Sequence, residues 1–168
     1  EVADIKTADT LNLPTPEVEK HNVLIKPSPM QKDMVKDLGE RAEKIRGGSV
    51  DPSIDNMLKI TNEGRKLALE QRLMNPMLED YEESKANVCA NNIYNIWEDT
   101  KEKKLTQLVF CDLSTPKQNV EKFDEDGNYV FTDVYNDLRR KLVLKGIPRE
   151  EVAFIHEADN ENKKKELF

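Results

Sequence analysis

Apolar positions fall into stripes of helical spacing over residues 29–103 and into two strand-like runs, the first near-continuous, near residues 105 and 152. Ser28, Pro29 and Gln31 match a capping box, with the serine as cap, proline at the first helical position and glutamine three residues after the serine. The spacing predicts a helix from Pro29 with Met30, Met34, Val35, Leu38, Ala42 and Ile45 on one face, ended by Gly47 and Gly48. Asp51 and Pro52 repeat the start signal and lead a helical region through Ile54, Met57, Leu58, Leu67, Leu69 and Leu73, weakened at Gly64 and stopped by Asn75 and Pro76. A third helix, from about Ser84 to Lys103, carries Val88, Cys89, Ile93, Ile96 and Trp97. The methionines serve as core filler and Trp97 as a packing anchor.

The two apolar runs, LTQLVFCDL (105–113) and EVAFIHE (151–157), flank an amphipathic segment with Phe131, Val134, Tyr135, Leu138 and Leu142 on one face. That order predicts a parallel βαβ crossover, with Arg139, Arg140 and Lys141 turned outward and the helix closed by Gly146 and Pro148. HNVLIK (21–26) is expected as an added strand, DEDGNY as a turn, and Asp159 as the cap of a final helix. DEDGNY does not fit a calcium loop, because its glycine falls out of phase and no glutamate stands at the twelfth position. The expected fold class is mixed α/β and helix-rich. Its parts are an extended linker over 1–20 punctuated by Pro14 and Pro16, a strand plus helical subdomain over 21–103, and a truncated α/β lobe over 104–168.

Composition narrows the function classes. Hydrophobic residues make up 37% of the 168 and charged residues 35%, with a net charge of −7, which argues against a surface built as a whole for nucleic acid. Basic clusters remain at Lys101, Lys103 and Lys104, at Arg139, Arg140 and Lys141, and at Lys163, Lys164 and Lys165. Cys89 and Cys111 behave as small hydrophobes, which suits a reducing compartment, and no apolar stretch is long enough to span a bilayer. Cytoplasm is the expected location. The sequence has no GxxxxGK[ST] loop, zinc-ligand spacing or nucleophile elbow, so catalytic, cofactor and metal sites are not expected within it. His156 and Glu157 could pair as acid and base only if adjacent strand residues faced the same way, which they do not. The opening EVADIK and the closing Leu167 and Phe168 suggest a piece of a longer protein.

The succession of segments carries a family resemblance. Ser28 and Gln31 open the first helix, GRKLALEQRLMNPML follows with Arg65 and Asn75 to Leu78, then QLVFCDL, then VYNDLRRKLVLKGIPREEVAFIHEADNENKKKELF. Together they resemble the second motor lobe of superfamily 2 helicases of the Swi/Snf-like branch, and most of all the helicases of bacterial mobile-element helicase and DNA-methylase polypeptides. The resemblance implies a truncated RecA-like lobe whose strand 105–113 is motif IV. It implies an ATP-dependent translocase as the parent, with ATP and magnesium held by the first motor lobe of the same polypeptide and a nucleic acid, DNA first, as partner. By motif IV geometry, Ser114, Thr115 and Lys117 are the candidates for touching phosphates. The chain departs from the pattern at His156 and Glu157, where the family has Asp-Gly, and at Lys163 or Lys164, where it has arginine. Catalysis by the chain alone is not expected. A second class of function, a helical protein-interaction or scaffold module with a small α/β appendage, is suggested by the acidic charge and the missing catalytic residues. Self-association through an open edge of the truncated sheet is expected as well.

Overall fold

The capping pattern at Ser28 sets the first helix, α1 (Pro29–Arg46), in the computed structural model, which describes residues 17–116 and 121–167. The Ser28 hydroxyl accepts the Gln31 N–H at 3.0 Å and the Gln31 side chain accepts the Ser28 N–H at 2.9 Å, satisfying two donors that a helix start otherwise leaves open. The Gly47 N–H closes the other end on the carbonyls of Glu43 and Ile45, with Gly48 at φ +70° beyond it. The second helix, α2 (Met57–Leu69), begins at Asn56 and not at Asp51. The Asp51 carboxylate is taken by the N–H and hydroxyl of Ser53, which makes a local turn instead of a helix cap. Helix α2 also runs unbroken through Gly64 and stops at Glu70, where φ of −156° leads into a short 3-10 turn over Gln71–Leu73.

Helices α1 and α2 pack through Leu38, Ile60 and Leu67, edged by Met34, Ala42, Ile45 and Met74. Burying a leucine as completely as Leu67 stabilises by about 1.5–3 kcal/mol. Arg41 braces the pair from outside the apolar seam, at 2.7 Å from Asp55 and 2.6 Å from Glu63. A second pair repeats the plan. Helix α3 (Lys85–Thr100), capped by Ser84, lies against α4 (Val134–Leu144), capped by Asp133. Their seam holds Ala90, Leu142 and Ile147, flanked by Ile93, Tyr94, Trp97, Leu138 and Val152. Gly146 at φ +107° takes the left-handed conformation that ends α4, and a short α5 (Glu161–Leu167) follows, capped by Asn160 and not by Asp159.

Among the described residues the sheet is a two-stranded antiparallel hairpin, β1 (Lys122–Phe123) and β2 (Tyr129–Val130), with Lys122 opposite Val130 and Phe123 opposite Tyr129. Its turn forms because the Asp124 carboxylate accepts the N–H groups of Asp126 and Asn128, and Gly127 supplies φ +80°. The parallel βαβ crossover expected from the apolar runs is therefore absent, and with it the truncated RecA-like lobe. Residues 21–26 and 105–112 pair with no strand. In the second run, the Glu157 and Ala158 N–H groups turn back onto the carbonyls of Phe154 and Ile155, so 155–157 is a 3-10 turn. The reason is local. The Glu157 carboxylate accepts the Phe154 N–H at 2.9 Å and an Arg139 N–H at 2.9 Å, while the Arg139 guanidinium stacks 3.4 Å from the Phe154 ring centre. These contacts hold the run against α4 by its side chains and spend its backbone on a tight turn. The molecule is a helical one with a small hairpin.

Candidate functional site

Two features stand out once the helices are placed: an ionic network inside the molecule and an apolar run outside it. The network begins where α2 breaks. The turn after Glu70 carries Arg72 inward, where it meets Glu70 at 3.0 Å, Asp137 of α4 at 2.8 Å and Asp80 at 3.2 Å, with the Phe131 ring 4.4 Å beneath its guanidinium. Lys141, one turn along α4, pairs with Asp137 at 2.7 Å and Asp80 at 2.8 Å. Glu70 and Asp137 are wholly buried. Burial opposes the charge on Arg72, but Glu70 and Asp137 outweigh it and hold the guanidinium firmly protonated. Three carboxylates, Glu70, Asp80 and Asp137, meet two cations, Arg72 and Lys141, which leaves one carboxylate in excess. Among the described residues no group of histidine, cysteine, aspartate and glutamate is arranged to hold a metal ion. Ser28 and Gln71 extend the network: the Ser28 hydroxyl donates to the Gln71 side chain at 2.7 Å, and Gln71 donates to the Glu79 carbonyl.

The basic face expected to point outward on α4 is in part the reverse. Arg139 and Lys141 are buried, and burial pushes the Arg139 guanidinium below its ordinary pKa despite the charge of Glu157. The signal was present in the spacing: Asp137 and Lys141 stand three and seven residues after Val134, on the apolar stripe itself. His156 lies edge-on to Tyr135, with ring centres 5.4 Å apart, while Glu157 is engaged by Arg139, so the two adjacent residues serve different neighbours.

The apolar run 105–112 is the exposed feature. It forms no helix, turn or bend, and φ is negative throughout. Lys104, left-handed at φ +51°, launches it from the 3-10 turn that ends α3. Side chains moor it to the body: Gln107 donates to the Ile93 carbonyl at 3.0 Å, the Tyr135 hydroxyl donates to the Cys111 carbonyl, and Asp112 meets Arg65 at 3.2 Å. The backbone of 105–110 makes no hydrogen bond to any described residue. Its apolar side chains are in solvent, with Leu105 59%, Leu108 63%, Val109 47% and Phe110 90% exposed.

Of the three residues expected to meet phosphates, Ser114 sits at the start of α4, where its hydroxyl accepts the Val134 N–H at 2.9 Å and its backbone is left-handed at φ +63°. Thr115 is exposed, and Lys117 lies outside the described residues. Among the described residues, no helix is long and apolar enough to cross a membrane.

The helicase reading, with its ATP-binding, hydrolase and mobile-element associations, finds no footing in this architecture. It needs a parallel sheet joined by a crossover helix, and the described sheet is one antiparallel hairpin. Compared with known protein families, with curated proteins and with solved structures, the chain finds no match.

Proposed function

We propose that the chain is a helical protein-interaction module, in which two helix pairs hold the run 105–112 open as an edge for a strand of another polypeptide. The observation that supports it is the conjunction, over 105–110, of an unbonded backbone and exposed apolar side chains. A straight row of free N–H and C=O groups is a template for strand pairing, and a peptide that adds to such an edge gains affinity from main-chain bonds and specificity from alternate side chains. The partner that fits is an extended segment with apolar residues at every second position. Gln107 is engaged with the Ile93 carbonyl and Cys111 is half-buried, while Leu108 and Phe110 are exposed and free to receive it. Charged residues at the two ends, Lys103 and Lys104 before the run and Asp112 in it, keep the edge hydrated without blocking its middle. The proposal places the chain in the cytoplasm, in keeping with Cys89 and Cys111 as free thiols.

Selection of displayed random peptides against the chain tests this. The expected winners carry apolar residues at alternate positions and lose binding to Val109→Pro, which deletes an N–H that has no partner among the described residues. They keep binding to Leu24→Ser, a change at an exposed leucine outside the run. Peptides indifferent to Val109→Pro, or a selection that returns no binder, overturn the proposal.

A further inference from the structure

We infer that Cys89 and Cys111 are a redox pair, which closes as a disulfide when the chain meets an oxidising small-molecule disulfide and latches the run 105–112 to α3. Two moorings carry the run along α3. Gln107 donates to the Ile93 carbonyl at 3.0 Å, and the Tyr135 hydroxyl donates to the Cys111 carbonyl. Helices α3 and α4 run in the same direction, since toward their far ends Trp97 donates to Glu151 at 2.7 Å and Lys145 lies over the Tyr94 ring. About 15 Å of helix separates Lys145 from Tyr135, and the same distance on α3 leads from Tyr94 back to its capped start. The run therefore passes from Ile93 toward that start. Cys89, one turn before Ile93 on the same side of α3, lies between the two moorings. Both thiols are free and half-buried. Burial pushes the Cys89 thiol above its ordinary pKa, and the Cys111 thiol adds to that rise as a near neighbour does. The Cys111 thiol donates to the Leu113 carbonyl at 3.2 Å, a weak bond that closure gives up at little cost. The run is free to close on α3, because the backbone of 105–110 is bonded to no described residue.

The exchange balances with glutathione disulfide as the oxidant. The Cys111 thiolate attacks one of its sulfurs and expels a glutathione thiolate, and the Cys89 thiolate then attacks the Cys111 sulfur and expels the second. Two protein thiols are oxidised, one glutathione disulfide is reduced to two thiols, and the protons of the cysteines pass to the leaving thiolates. Excess glutathione reverses the step, which suits a reducing compartment, where protein disulfides are transient. The latch acts on the run whatever strand the run receives. Redox titration of the whole chain in glutathione buffers, quenched by alkylation and read by mass spectrometry, tests the pair. The expected product is a monomer with a Cys89–Cys111 linkage, with an equilibrium constant roughly tenfold or more above its value in urea, where the fold no longer holds the thiols together. Tyr135→Phe releases the Cys111 carbonyl and, with its helical circular dichroism intact, is expected to move the constant toward the urea value. Tyr81→Phe, at a hydroxyl bonded to Glu83, leaves it in place. Glutathione adducts on both cysteines, disulfide-linked dimers, a linkage that forms no more readily folded than in urea, or a constant that Tyr135→Phe does not move overturns the inference.

Discussion

Asp137 is the residue on which the polar interior depends most. It takes two cations at once, Arg72 and Lys141, and it does so from a wholly buried position. Asp137→Ala leaves both cations short of a counter-charge in the interior, and removing one partner of a buried pair costs about 3–5 kcal/mol. Urea denaturation should show a loss of that size, with a smaller loss for Lys141→Met, because Asp137 then keeps Arg72. At the outer brace, the Arg41 hydrogen bond holds the Asp55 carboxyl below its ordinary pKa of 3.8. A folded-state pKa below the unfolded one means that Asp55 contributes stability in full above pH 3.8 and loses it as the pH falls through the depressed value. Thermal midpoints followed into acid should therefore drop less steeply for Asp55→Asn than for the parent chain. A parallel drop in both would show that the brace adds nothing to folding. Lys141 stands with Asp137 on the apolar stripe, which hinted at a paired interior, whereas the burial of Arg139 was hidden because charge argues for solvent.

At the scale of elements, the helices were legible and the strands were not. The cap residues Ser28 and Ser84 stand where the spacing expected them, because a cap bonds to N–H groups two or three residues away and its chemistry is complete within four positions. Asp51 misled for the same local reason, since Ser53 offers its carboxylate a nearer partner than a helix N-terminus. A strand has no such completeness. The runs 105–113 and 151–157 have strand composition, yet their pairing depends on a neighbour far along the chain, and Arg139 with Glu157 withdraws one of them into a turn. The candidate interface was legible as an apolar run, but its exposure was not. Two substitutions test the helical elements. Ser28→Ala removes the cap of α1 and a buried bond to Gln71, with an expected loss of about 1–2 kcal/mol. Gly64→Ala goes the other way: the new methyl would meet Leu38 at an ordinary 3.9 Å, and alanine in a helix interior is favoured over glycine by roughly 0.5–1 kcal/mol. Chemical denaturation of each should give shifts of opposite sign.

In the whole molecule, the apolar seam of α1 and α2 and that of α3 and α4 are joined by charge. Arg72 follows the first pair and Asp137 belongs to the second, so the buried ionic network links them. This arrangement leaves 105–112 outside both seams, tied down by side chains, with no backbone bond from 105–110 to any described residue. Amide hydrogen exchange distinguishes it from the parallel sheet that the apolar runs suggested. A strand inside a parallel sheet exchanges only when the whole domain opens, whereas an N–H without an acceptor exchanges at close to the rate of an unfolded peptide. In dilute solution the amides of 105–110 should therefore exchange fast while the central turns of α1, α2, α3 and α4 are protected. Slow exchange of 105–110 in a dilute monomer would mean that the run is covered from within the chain, and the exposed edge would be lost.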